Sequence, residues 1–181
     1  MRLTFHQCNS SDLDKLVEIS RKTFVDAFEK DNDPEDFESY IDMAFNKSNI
    51  ERQLQNPDSA FYFVFKDEIL VGYFKLNENS AQTDIKAKEC IELERIYVLE
   101  EFQGNGIGVQ VLRETLKLAA QEQKQFIWLG VWQRNMDAIR FYEKHGFVKF
   151  GTHPYFIGKD KQTDWLMRLE IKKPLHKLKR P

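Results

Sequence analysis

The spacing of apolar residues changes period several times along this chain, and each change predicts an element. Leu3-Thr4-Phe5 reads as a short opening strand. Leu13, Leu16, Val17, Ser20, Phe24 and Phe28 recur at three and four residues, which predicts a helix capped by Ser10 or Ser11. Asp33-Pro34 begins a second helix with proline in its first position, and Ser48-Asn49-Ile50-Glu51 fits the capping box of a third. Residues 61–65 and 69–76, separated by Lys66-Asp67-Glu68, predict a hairpin. A polar loop over 77–89 leads to a strand over 91–98, and 107–121 is amphipathic at helical period. Residues 126–132 are almost wholly apolar, as in a central strand covered on both faces. Asn135 can cap a helix over 136–144, with Gly146 just past its end and Phe147 packing behind. A last strand spans 165–169. The order is strand, helices, two strands, strand–loop–helix, strand–helix, strand. It predicts an α/β fold whose sheet is antiparallel in its first half and has a central β–α–β crossover.

Length and composition narrow the setting. The 181 residues fit one domain over 1–171, with 172–181 as a basic, solvated tail. A formal charge of −2 gives no global argument for nucleic acid or an anionic membrane, and the basic tail lacks interleaved aromatics. Cys8 and Cys90 have no metal-binding spacing, so neither a metal site nor a disulfide framework is expected. No signal-like N-terminus and no run of about 20 apolar residues is present, which makes a cytoplasmic, membrane-free protein the expectation.

The chemistry concentrates where the strand Glu92-Leu93-Glu94-Arg95-Ile96-Tyr97-Val98 runs into Gln103-Gly104-Asn105-Gly106-Ile107-Gly108. A strand, a glycine loop and a helix N-terminus together form a phosphate cradle. The loop lacks the third glycine of a dinucleotide fingerprint and the Gly-Lys-Ser/Thr of a nucleotide-triphosphate loop. Glu92 and Glu94 stand on one face of the strand, since side chains alternate. Two carboxylates on a buried strand are costly unless used or paired, and a salt bridge to Arg95 or Lys75 is the structural alternative to a catalytic role.

Gln103-x-x-Gly106-x-Gly108 closely resembles the coenzyme A loop of the GNAT acetyltransferase superfamily. Asn135, Ala138, Tyr142 and Gly146-Phe147 resemble that family's second signature. The resemblance implies a mixed, mostly antiparallel central sheet flanked by helices, with splayed adjacent parallel strands. It also implies acetyl-CoA as cosubstrate and direct attack by a primary amine in a ternary complex. Gln103, Gly104, Asn105, Gly106, Ile107 and Gly108 would hold the diphosphate. Ile96, Tyr97 and Val98 would pair with the pantetheine arm, the Val98 amide facing the acetyl carbonyl. Tyr142 matches the acid that protonates the departing sulfur, against a plain reading as a core aromatic. Glu94 matches a base acting through water in some polyamine acetyltransferases, and Glu92 the base of other branches. Asn135 would bind cofactor or cap its helix; Lys144 would reach the 3′-phosphate or simply complement the helix dipole. His145 and His153 read as structural.

Thr23-Phe24, Ala44-Phe45-Asn46, the run over 127–132 and Gln162-Thr163-Asp164 resemble bacterial spermidine/spermine N-acetyltransferases. That likeness implies a polyamine acceptor and leaves room for a homodimer. The acids crowded between Asp26 and Asp42 would then wall the acceptor site, or form a solvated surface. A protein N-terminus, a lysine or an aminoglycoside as acceptor, and a non-catalytic coenzyme A-binding protein, are the competing readings.

Overall fold

The computed structural model describes residues 2–171; the expected basic tail lies outside the described residues. Seven strands form one sheet in the order β1-β2-β3-β4-β5-β7-β6. They are β1 (Leu3–Gln7), β2 (Ser59–Lys66), β3 (Ile69–Asn77), β4 (Cys90–Val98), β5 (Phe126–Trp132), β6 (Val148–Ile157) and β7 (Asp160–Glu170). The helices are α1 (Leu13–Phe28), α2 (Pro34–Ala44), α3 (Lys47–Leu54), α4 (Ile107–Gln121) and α5 (Met136–Lys144). Every neighbouring pair is antiparallel except β4–β5, the two strands that the α4 crossover joins. The expected mixed sheet with its central β–α–β unit is therefore present.

Local chemistry explains most boundaries. Asp67 and Glu68 both take positive φ, 48° and 69°, which turns β2 into β3 as a tight hairpin. Asp33 caps α2 through the amides of Glu35 and Asp36, with Pro34 at the first position as expected. Two expected caps are corrected. Asn9, in a reciprocal capping box with Asp12, opens the turn into α1 where Ser10 or Ser11 was expected. Asn46, not Ser48, caps α3 by accepting from the Asn49 amide.

The larger correction is β6. Its inward positions, Gly151, His153, Tyr155 and Ile157, alternate with exposed ones, but they are too mixed in character, with Pro154 among them, for the sequence to predict a strand. It sits at the sheet edge, where one face and one flank meet solvent and proline is tolerated. Pairing with β7 also extends that strand from the expected 165–169 to Asp160–Glu170.

Two apolar layers cover the sheet. α4, α5 and Phe147 just behind α5 bury Ile107, Val111, Leu112, Ile139, Tyr142 and the Phe147 ring against Val71, Phe74, Ile91, Leu93 and Leu129. α1, α2 and α3 bury Leu16, Phe24, Phe37, Ile41 and Ile50 against Phe61, Phe63 and Tyr73 on the opposite face. The two cysteines are free and lie in different clusters.

Candidate active site

The parallel pairing of β4 and β5 runs only from Cys90–Phe126 to Glu92–Trp128. Beyond it the strands part and leave a gap through the sheet. The Leu99 amide donates to the Val71 carbonyl across β3, at 2.9 Å. Antiparallel alternation then turns the backbone of Val98, and of Ile96 two residues earlier, away from β3 and into the gap. Tyr97, the third residue expected to pair with a cofactor arm, has its backbone toward β3 instead. Its ring packs with Phe24, Phe28 and Tyr73.

At the end of β4 the chain passes through the glycine loop into α4. Gly104 and Gly106 take φ of 75° and 73°, a left-handed conformation that disfavours a side chain. A Cβ on either would meet nothing within 4 Å, so the loop backbone is open to a ligand. The first intrahelical bond is Gln110 to Gly106, so the amides of Gly106, Ile107, Gly108 and Val109 are without helical acceptors. The side chain of Ile107 is core. Gln103 donates to the Val98 carbonyl at 2.9 Å, and Asn105 donates to the carbonyls of Phe102 and Gln103. Both side chains shape the loop rather than extend from it.

A cavity occupies the gap and reaches the residues of α1 and α2. Ile96, Val131, Ala138 and Tyr142 line it from one layer, and Phe24, Phe28, Tyr40 and Phe45 from the other. Tyr142 is 7% exposed. Burial alone raises the pKa of its phenol, with no hydrogen bond or charge from the described residues acting on it. Asn135 lines the cavity, and its side-chain oxygen caps α5 at the Ala138 amide as expected. Lys144 is exposed in the last turn of α5 and does not line the cavity.

Glu92 and Glu94 do share a face, and both accept from the Asn77 side-chain amide. A bulge between Lys75 and Leu76 pairs Arg95 and Leu93 with them and leaves Glu94 as the extra residue. Glu94 and Arg95 therefore turn to the same face, which strict alternation forbids. Glu94 pairs with Lys75, whose side chain is 5% exposed, and with Arg95 at 3.1 Å. Burial opposes its ionisation, but the Arg95 and Lys75 charges prevail and bring its pKa from 4.5 to about 2. Glu92 has the opposite balance: burial raises its pKa against hydrogen bonds from Thr83 and Asn77. The Thr83 amide and hydroxyl reach it at 2.9 and 2.6 Å.

Three cavity residues had no functional reading in the sequence. His153 on β6 contacts Asp84 at 2.5 Å and lies 4.0 Å from Asp164 on β7. It thus has a carboxylate on either side, partners that its sequence position alone does not show. Asp84 comes from the loop between β3 and β4, which is fastened by Thr83 to Glu92 and by Gln82 to the Trp128 indole at 2.8 Å. Burial and Asp84 raise the Asp164 carboxyl to about 6, against the opposing pull of His153. The acids between Asp26 and Asp42 do not line the cavity, in keeping with the alternative of a surface cluster. Asp26 and Asp42 pair with Lys22 and Arg21, Asp33 is a cap, and Asp36 accepts the Lys159 amide of the β6–β7 turn. α1 and α2 do wall the cavity, but with aromatic rings.

The acetyltransferase (GNAT) family model matches residues 13–147. An uncharacterized N-acetyltransferase encoded in the pepI 3′ region of Lactobacillus delbrueckii subsp. lactis is 36% identical over 162 residues, covering 90% of this chain and 94% of the relative. A spermidine N(1)-acetyltransferase from Thermoplasma acidophilum is 27% identical, covering 81% and 89%. Among solved structures, the PaiA N-acetyltransferase from Thermoplasma acidophilum in complex with coenzyme A superposes with a TM-score of 0.72 at 24% identity, covering 94% and 99%.

Proposed function

This chain belongs to the acetyltransferase (GNAT) family and is an N-acetyltransferase, and on that premise we propose that it moves acetyl from acetyl-CoA directly to a primary amine of a polyamine. The observation that carries the reading is the cavity through the sheet. It joins the inward-facing backbone of Ile96 and the Tyr142 side chain to a chamber holding Asp84, Glu92, Glu94 and Asp164. Arg95 is the one fixed cation lining it among the described residues. Such a chamber favours a flexible polycation over a neutral or anionic acceptor.

The loop amides at the start of α4 suit a diphosphate. The inward backbone at Ile96 and Val98 suits the amide-bearing arm that follows it, and the Val98 amide would stabilise the oxyanion. Tyr142 protonates the leaving sulfur. Glu94, held ionised, and Glu92 attract and orient the acceptor's ammonium. Asn135 borders the cofactor side. The exposed Lys144 has the reach of a surface lysine, and its contact would be to the 3′-phosphate.

Two measurements test this reading. Spermidine and spermine are expected to release coenzyme A thiol from acetyl-CoA far faster than N-terminal peptides, lysine or an aminoglycoside. Turnover of peptides with none of spermidine removes the polyamine acceptor. Gly106→Ala places a Cβ on a left-handed residue, a strain of about 1–2 kcal/mol, and narrows the cradle. Acetyl-CoA affinity in a calorimetric titration is expected to fall about tenfold with little change in kcat; unaltered affinity would take the diphosphate away from this loop.

A further inference from the structure

An N-acetyltransferase must dispose of a proton. An ammonium acceptor sheds two protons on becoming an amide, and the departing sulfur takes one of them. The β4 carboxylates are poorly arranged to export the other. Glu94 is held by Lys75 and Arg95, and Glu92 is ringed by neutral donors from Thr83 and Asn77. The opposite wall differs. Asp164, His153 and Asp84 form a line whose side chains grow more exposed outward, at 16%, 24% and 31%. The inner end lies over Gly130: a Cβ there would stand 3.5 Å from the Asp164 Oδ2 atom, so the missing side chain leaves that carboxylate facing the gap. Tyr142, whose ring is buried and whose hydroxyl has no hydrogen-bond partner among the described residues, lines the same cavity.

We propose that Asp164 is the catalytic residue that takes the acceptor's proton, and that His153 and Asp84 pass it to solvent. The ammonium gives a proton to the Asp164 carboxylate and becomes a neutral amine. Its lone pair forms the C–N bond while the C–S bond breaks, the electron pair leaving on sulfur. Tyr142 supplies the sulfur proton and is restored by the second proton of the nitrogen. Asp164, 4.0 Å from His153, hands over its proton when the two side chains close to hydrogen-bond distance, and the other ring nitrogen of His153 is in contact with Asp84 at 2.5 Å. The titratable groups near Asp164 are His153 from β6, Asp84 from the loop and the Tyr40 phenol from α2; β5 brings only the uncharged Gly130 and Trp132 beside it. A carboxyl raised to about 6 is also better matched to accepting a proton near neutrality than one at about 2.

The assignment rests on the acetyl-transfer reading but not on the polyamine. It is tested on Asp164→Asn and His153→Asn with acetyl-CoA and the best amine of the panel, following kcat from pH 5 to 9. Asp164→Asn is expected to lose about 100-fold at pH 7 and the ionisation near pH 6, at unchanged acetyl-CoA affinity. His153→Asn is expected to lose about tenfold and shift the same limb. Turnover of Asp164→Asn within about threefold of wild type, or a defect confined to the acceptor KM with the pH profile intact, overturns the proposal. Should Asp164→Asn fail to bind acetyl-CoA, an unchanged profile in His153→Asn overturns it by itself. A wild-type protein inactive on every amine refutes the proposed function as well.

Discussion

Tyr142→Phe is expected to lower kcat about 100-fold at neutral pH while acetyl-CoA affinity and thermal stability stay near wild type. The expectation comes from what the hydroxyl does not touch. Tyr142 is 7% exposed and packed among Ile139, Phe141 and Phe147, so the ring supports the α5 layer. The oxygen has no charge or hydrogen bond acting on it from the described residues, so its removal strands no partner. Phenylalanine keeps the packing and deletes the proton alone. A phenol whose pKa burial raises stays protonated through neutrality and is available as a donor to a thiolate of pKa ~8.5. Steady-state thiol release beside a calorimetric titration separates the two parameters. Full activity in the phenylalanine variant would return Tyr142 to the core and remove the acid from the mechanism.

Glu94→Gln is expected to cost about 3 kcal/mol of stability, a fall in Tm on the order of 6–12 °C for a chain of this length. Lys75, 5% exposed, and Arg95, 14% exposed, both lean on the Glu94 carboxylate. Losing it leaves two buried cations with the Gln53 carbonyl as their shared neutral acceptor. The figure sits at the low end for a broken buried pair because Glu94 keeps 20% of its side-chain surface and burial already eases proton loss from Lys75. The pH dependence has a fixed sign. Glu94 falls from 4.5 to about 2 on folding, so its contribution is whole above about pH 5 and disappears as pH drops through 2. The gap between wild type and variant in denaturant midpoint is therefore expected to be widest at pH 7 and to shrink toward pH 2. Equal midpoints at pH 7 would show that Lys75 and Arg95 find other partners.

Periodicity located α1, the β2–β3 hairpin, α4, β5 and α5, because each buries one regular face or both. It missed β6 because the inward positions, Gly151, His153, Tyr155 and Ile157, are only partly apolar, while Phe150 and Phe156 face out and Pro154 interrupts the run. The glycine loop and Tyr142 were legible because their motifs are contiguous or helical. The Asp84–His153–Asp164 line was not, since its members come from a loop and two late strands that meet only in the folded sheet. The bulge at Glu94 was equally hidden. No sequence rule placed the extra residue there, yet it alone explains how a glutamate and the next arginine face the same way.

The short seam between β4 and β5 has a mechanical meaning. Three residue pairs, Cys90–Phe126 through Glu92–Trp128, are all the ladder that joins the two parts of the sheet. Past them the protein carries, deep inside itself, the kind of raw strand edge that most folds keep at their rim and blunt with charge. A cosubstrate that lies along that edge would act as an eighth strand for as long as it stays bound. The sheet would then be stiffest during acetyl transfer and loosest between turnovers, which ties the rigidity of the molecule to its own catalytic cycle.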